Sequence, residues 1–281
     1  IYADFEALTI PNRLVNNINI NDSYTESYQH HEPCGYAYKV VCIENKYTKP
    51  IEFYRGEKCV EQFLDSMMKE KKYINKIIIQ NKMNKIKTDK NIEDYKNAKI
   101  CHICEEKLGK DKVWDHCHVT GKYRGAAHDE CNKKLSIPKY IPIIFHNLKG
   151  YDSHFIVQNL GKYKENIDII PNNTEKYMSI SIGNNKKQGL YLRFTDSLQF
   201  MNESLDKLVK NTTNFFHLES DIKNNNIDLL KKKGIYPYDY MDSWDRFNEC
   251  ELPPKSLFFN KLNNEHISDE EYERAKNIWK L

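Results

Sequence analysis

Cys101-x2-Cys104 and His128-x2-Cys131 are two pairs of metal-ligating side chains at one spacing. A Cys-x2-Cys knuckle presents two thiolates to a single tetrahedral Zn²⁺, and a second such pair completes four ligands. Between the pairs runs Asp115-His116-Cys117-His118, the kind of run that does chemistry on phosphodiesters. His102, His116 and His118 are close enough in sequence to compete with His128 as ligands. Two further sets of residues flank this stretch. Asp4 and Glu6 alternate along an apolar strand and so share one of its faces. Alone, that pair reads equally well as a solvated strand edge. The segment "HNLKGYDSHF" (146–155) then sets His146, Asn147, Tyr151 and Asp152 between a strand and a helix.

The elements that must position these residues are legible as patterns. Residues 1–8, 35–43 and 50–56 read as strands. Val60, Phe63, Leu64, Met67 and Met68 recur at helical spacing over 59–72. The Lys/Asn-rich stretch 73–98 reads as a basic linker or a helix end. Residues 141–147 form a buried strand, 151–163 a helix, 177–200 a hairpin and 204–212 another helix. The extension 213–281 is polar, then rich in Tyr and Pro, and ends in the helical pattern "SDEEYERAKNIWKL". Strands alternating with helices predict an α/β mixed-sheet domain. Its two parts, 1–72 and 138–212, are separated by an inserted module at 99–137. A small polar insertion cannot bury a core of its own, and a metal staple answers that need.

The chain has 281 residues, enough for one large domain or two smaller ones. Its 30% charged residues and net charge of +3 permit nucleic-acid binding without demanding it. No apolar run approaches the roughly 18 residues of a membrane span, and the opening "IYADFEALT" is no signal peptide. Cysteines grouped with histidines point to metal binding in a reducing compartment. The expectation is an intracellular protein of the nucleus or cytoplasm, neither secreted nor membrane-bound.

Two resemblances sharpen this. "WDHCHVTGKYRGAAHDECN" (114–132) resembles the recombination endonuclease VII branch of the His-Asn-His nucleases, through Asp-His-x-His-x-Thr-Gly, then Arg-Gly, then Cys-Asn. The resemblance implies Mg²⁺ held by Asp115 and Asn132, with His116 activating a water. Cys117 stands where the pattern has an acidic residue, and His128 where it has a cysteine ligand. Those departures leave the zinc fold intact and favour a structural or DNA-contacting module over a cutting one.

Asp4-x-Glu6 followed by Asn147-x3-Tyr151-Asp152 resembles the first two motifs of the proofreading 3′–5′ exonucleases. Ser197-Leu198-x2-Met201 resembles the element with which protein-primed polymerases hold single-stranded DNA. Most of the chain is therefore similar to part of a protein-primed family B DNA polymerase of the viral, organellar-plasmid or Maverick/Polinton type. The resemblance implies an RNase H-like mixed-sheet exonuclease fold with a small zinc-stapled ββα-type insertion. By the same resemblance Asp4 bridges two Mg²⁺ (or Mn²⁺) ions, Glu6 binds one and Asp152 supports the other. Asn147, Tyr151 and His146 would contact the 3′-terminal nucleotides, with Ser197 and Leu198 on the strand behind them. Implied partners are a single-stranded 3′ end, a primer-template and a terminal-protein primer. Asp196 reads as a turn or helix cap. A third motif, Tyr-x3-Asp, completes such sites; Tyr238-x3-Asp242 has the spacing, but by resemblance its segment precedes that motif. The expectation is thus a piece of a longer gene product with weak or no exonuclease activity of its own. Two alternatives stand beside it: a zinc-dependent His-Asn-His endonuclease, and a non-catalytic zinc protein that binds DNA.

Overall fold

The structure is a computed structural model that describes residues 1–12, 27, 29–80, 85–118, 120–134, 139–183, 189–219 and 227–280. The chain runs β1 (Tyr2–Pro11), β2 (Gln29–Lys39), β3 (Glu52–Arg55), α1 (Cys59–Gln80), α2 (Asp89–Asn97), β4 (Lys112–His116), β5 (Tyr123–His128), α3 (Asp129–Lys134), β6 (Tyr140–Phe145), α4 (Asp152–Asn159), β7 (Ile167–Pro171), β8 (Tyr177–Ile182), β9 (Tyr191–Asp196), α5 (Leu205–Lys210), α6 (Phe216–Glu219), α7 (Ile227–Leu230) and α8 (Asp269–Trp279). Seven strands form one mixed sheet in the order β3-β2-β1-β6-β9-β8-β7. β1, β2 and β3 pair antiparallel, β1–β6 and β6–β9 pair parallel, and β8 and β7 return antiparallel. Among the described residues no helix is long and apolar enough to cross a membrane.

The period-2 pattern of β1 decides which way its side chains point. Ile1, Phe5 and Ala7 join the main core, and Leu8 enters a second cluster on the opposite face with Cys34 and Met241. α1 buries Val60, Phe63, Leu64 and Met67 against the first face, the stripe its spacing predicts. Phe5 is the hub of that core. Its ring lies 4.9 Å from Phe63 of α1, 5.8 Å from Phe145 of β6 and 6.2 Å from Phe155 of α4. One side chain between Asp4 and Glu6 thus fixes β1 to the elements that carry the rest of the candidate site.

A separate two-stranded sheet, β4–β5, with α3 behind it, makes the expected ββα module. The stretch 73–98 departs from the expected linker. α1 continues to Gln80, and α2 is a capped helix, with Thr88 accepting the Asn91 N–H at 3.2 Å. α2 docks on the module through Tyr95, whose ring lies 5.3 Å from Trp114, and Trp114 packs on Tyr123 at 4.3 Å. Lys112 Nζ donates to the carbonyls of Lys96 and Ala98. The aromatic contact supplies burial that the polar module lacks, which is why this Lys-rich sequence is ordered helix. Part of the expected linker, 81–84, lies outside the described residues. β7 was not expected; its run "IDIIP" is short and pairs only along the sheet edge with β8.

Candidate active site

Asp4 and Glu6 project from the same face of β1, as the alternation requires, and pair across to Ala37 and Gly35 of β2. Directly after Glu6 the register shifts at a β-bulge, a distortion that re-aims side chains and is common beside functional sites. Asp152 opens α4 and is only 2% exposed. Its Oδ1 is buried with no hydrogen-bond partner, and so is Ser153 Oγ. The three carboxyls feel one another. Burial, then the charge of Asp4, raises Asp152 to about 7, while the Phe5 backbone N–H works the other way. Burial and Asp4 likewise raise Glu6 to about 7, with Lys233 opposing. Asp4 is raised chiefly by burial, with the Phe5 N–H and His146 opposing. Asp4 and Glu6 are exposed and Asp152 is buried, so the three carboxyls run from the surface inward.

The loop between β6 and α4 leads directly into Asp152. Asn147 sits in the left-handed region at φ 74°, tolerable for Asn and costly for most residues. A Cβ on Gly150 would stand 2.5 Å from Asn147 Oδ1, so glycine is what lets that amide fold over the loop. Asp196, at the end of β9, holds the loop from below. It is 1% exposed, and its Oδ1 accepts the N–H groups of Asn147 and Leu198 while Oδ2 accepts that of Lys149. Its expected cap role is present, and it also ties two loops together. Tyr151 packs on Phe155 and hydrogen-bonds His31 of β2.

Ser197 is placed differently from its expected strand contact. Its hydroxyl is buried, donates to Phe145 O at 3.1 Å and meets His146 Nδ1 at 3.0 Å. His146 Nε2 in turn donates to Glu203 O at 2.9 Å. Both side chains are committed to holding the β6 and β9 ends in register. Leu198 follows, half-buried, and Met201 is exposed beside it. Asp242 is engaged by Arg246 at 3.0 Å, while Tyr238 lies near Glu6 and Asp4, whose charges add to burial in raising its hydroxyl.

In the module, Cys101, Cys104, His128 and Cys131 offer ligand atoms that all lie within 4.8 Å of one another. Tetrahedral Zn–S bonds near 2.3 Å set sulfurs roughly 3.8 Å apart, so the donor set fits one zinc ion. Among the described residues this is the group of Cys, His and carboxylate ligands that converges closely enough for a single ion. His128 turns Nδ1 toward Cys104 and Cys131, and Nε2 donates to Lys107 O at 3.2 Å, fixing the ring as an outer hydrogen bond fixes a metal-bound histidine.

The nuclease-motif residues of the module are less open. Asp115 has no exposed side-chain surface. Arg124 Nη2 donates to its Oδ1 at 2.7 Å, and His102 Nε2 meets its Oδ2 at 2.8 Å. Both oxygens expected to hold Mg²⁺ therefore already have cationic or N–H partners. Gly125 makes this possible, since a Cβ there would fall 2.6 Å from the His102 ring. His102, one of the competing ligands by sequence, is thus the partner of Asp115. His116 packs on His118 at 4.7 Å, and burial first, then His118, lowers its pKa. Asn132 lies on α3 one residue past Cys131.

A family model described as recombination endonuclease VII matches residues 76–151. No curated protein and no solved structure matches the chain. The match covers the module together with α2, the last turn of α1 and β6. The chain thus carries an endonuclease VII-like domain with a Cys/His cluster able to hold zinc. Nothing in these comparisons points to a family B polymerase.

Proposed function

We propose that this chain is a DNA-acting nuclease whose hydrolytic centre is the carboxyl trio Asp4, Glu6 and Asp152, with the endonuclease VII-like module as a DNA-contacting guest. In finer terms it is the 3′–5′ exonuclease part of a family B DNA polymerase. The carrying observation is Asp152: a buried carboxylate with an unpartnered oxygen, in the field of two more carboxylates. Such a group costs stability unless a cation shares it. Asp4, Glu6 and Asp152 are not drawn together in this structure as the zinc ligands are; on this reading they would close on Mg²⁺ or Mn²⁺, which would supply Lewis-acid activation of water and of the scissile phosphate. The rest falls to the protein. Asn147 and Tyr151 would contact a strand end, and Asp196 fixes the loop that carries them. The antiparallel β1–β3 ribbon, the parallel β1–β6–β9 centre and the helices α1 and α4 on one face support the RNase H-like reading of the sheet.

The second reading is the zinc-dependent His-Asn-His endonuclease, and the family match over 76–151 favours it. The pairing of Asp115 with Arg124 and His102 weighs against it. One assay separates the two: digestion of 5′-labelled single-stranded and of supercoiled DNA with Mn²⁺, by the native chain and four variants. The exonuclease reading, with its third motif missing, expects at most slow stepwise loss from the 3′ end, abolished by Asp4→Ala or Asp152→Ala and untouched by His116→Ala or Asn132→Ala. Nicking of the supercoiled circle that vanishes in His116→Ala would overturn it in favour of the module.

A further inference from the structure

We infer that Gln29 and His31 of β2 are positioning residues that hold Tyr151 as a hydrogen-bond donor facing the carboxylates Asp4, Glu6 and Asp152. The inference rests on the exonuclease reading of those carboxylates. His31 Nδ1 lies 2.7 Å from the Tyr151 hydroxyl, and its Nε2 lies 3.2 Å from Gln29 Nε2. The two rings also meet edge to face at 5.5 Å. An amide nitrogen only donates, so His31 Nε2 accepts from Gln29. A neutral imidazole with Nε2 as acceptor carries its proton on Nδ1. His31 therefore donates from Nδ1 to the Tyr151 oxygen.

The consequence lies with the tyrosine. Its oxygen already accepts a hydrogen bond, so its own O–H proton is left to point away from His31. The side chain belongs to the residue preceding Asp152, and burial first, then the neighbouring charges led by Asp152 and Glu6, raise its hydroxyl. A donor directed toward those carboxylates meets a phosphate oxygen of a strand seated on them. Without His31 the hydroxyl could turn and accept instead. The ligand this recognises is the phosphate of a single-stranded nucleic-acid end.

Two measurements test it. Long-range ¹⁵N–¹H correlation spectra of the full chain read the His31 tautomer directly, and Nδ1–H is expected. Anisotropy with a fluorescent oligothymidylate then reads binding. His31→Ala should weaken it about three- to tenfold, the range of one hydrogen bond. His31→Asn, whose amide nitrogen occupies the place of Nδ1, should restore it. In a Tyr151→Phe background, neither substitution should matter. An Nε2–H tautomer, or an equal loss from His31→Ala with Phe at 151, overturns the relay and leaves the nuclease reading standing. Failure of the native chain to bind the oligonucleotide at all removes that reading and the role of the relay within it.

Discussion

Asp115 and Asp152 are both buried carboxylates, and their neighbours give them opposite characters. Asp115 is fully paired, so its charge is a structural element of the module. Arg124→Met would leave Asp115 Oδ1 without its cation while His102 still holds Oδ2, and should destabilise the module by about 1–3 kcal/mol, visible as early loss of near-ultraviolet signal from Trp114. Asp152 is the reverse case. Asp152→Asn removes a repelled charge and should raise the melting temperature of the metal-free protein while abolishing its Mn²⁺ binding, read by calorimetry. The same repulsion sets a pH dependence. Folded Glu6 and Asp152 titrate near 7, against ordinary values of 4.5 and 3.8. Between those limits the folded state holds protons that the unfolded chain has released, so stability falls as pH rises toward 7. Thermal melts in chelator should therefore decline from pH 5 to pH 8, and Mn²⁺ should cancel the decline; a flat profile would refute the coupling. These residues were legible by type and order. Their partners were not, because Arg124 and His31 come from other strands and His102 from the turn of the Cys-x2-Cys knuckle, and no local spacing announces such long-range pairings.

At the scale of elements, Phe5 and the zinc cluster are the two fasteners. Phe5→Ala leaves a void where β1, β6, α1 and α4 meet, and should cost about 3–5 kcal/mol in chemical denaturation. That substitution also loosens the register that puts Asp4 and Glu6 on one face. Chelation, or Cys101→Ser, should unfold residues 101–134 alone. Hydrogen exchange would show fast amides in β4 and β5 and unchanged protection in β6 and β9. The strong periodic elements were readable beforehand: β1, α1, β6, the β8–β9 hairpin and the Cys-x2-Cys knuckle each carry their own pattern. α2 and β7 were not. α2 is polar on most of its surface and is held by a contact of Tyr95 with Trp114, residues of two elements. β7 is an edge strand with three isoleucines, too short for alternation to show.

For the whole molecule, the guest module lies between α1 and β6, the helix and strand that pack on and beside β1. β1 and β6 are parallel neighbours, joined where the Ile144 N–H donates to Ile1 O at 2.8 Å. Every residue of the module therefore lies inside the loop that this pairing closes. The entropy of closing a loop grows only with the logarithm of its length, about 0.6 kcal/mol per doubling. Excising the module removes less than half of that loop, so the sheet should melt within roughly 2–4 °C of the intact chain, by calorimetry with a short polar link in its place. The seam between α1 and β6 is thus a position where a domain can be acquired or shed while the core is scarcely perturbed. Selection on the guest can then act through what it touches, with almost no penalty or reward from the fold that carries it.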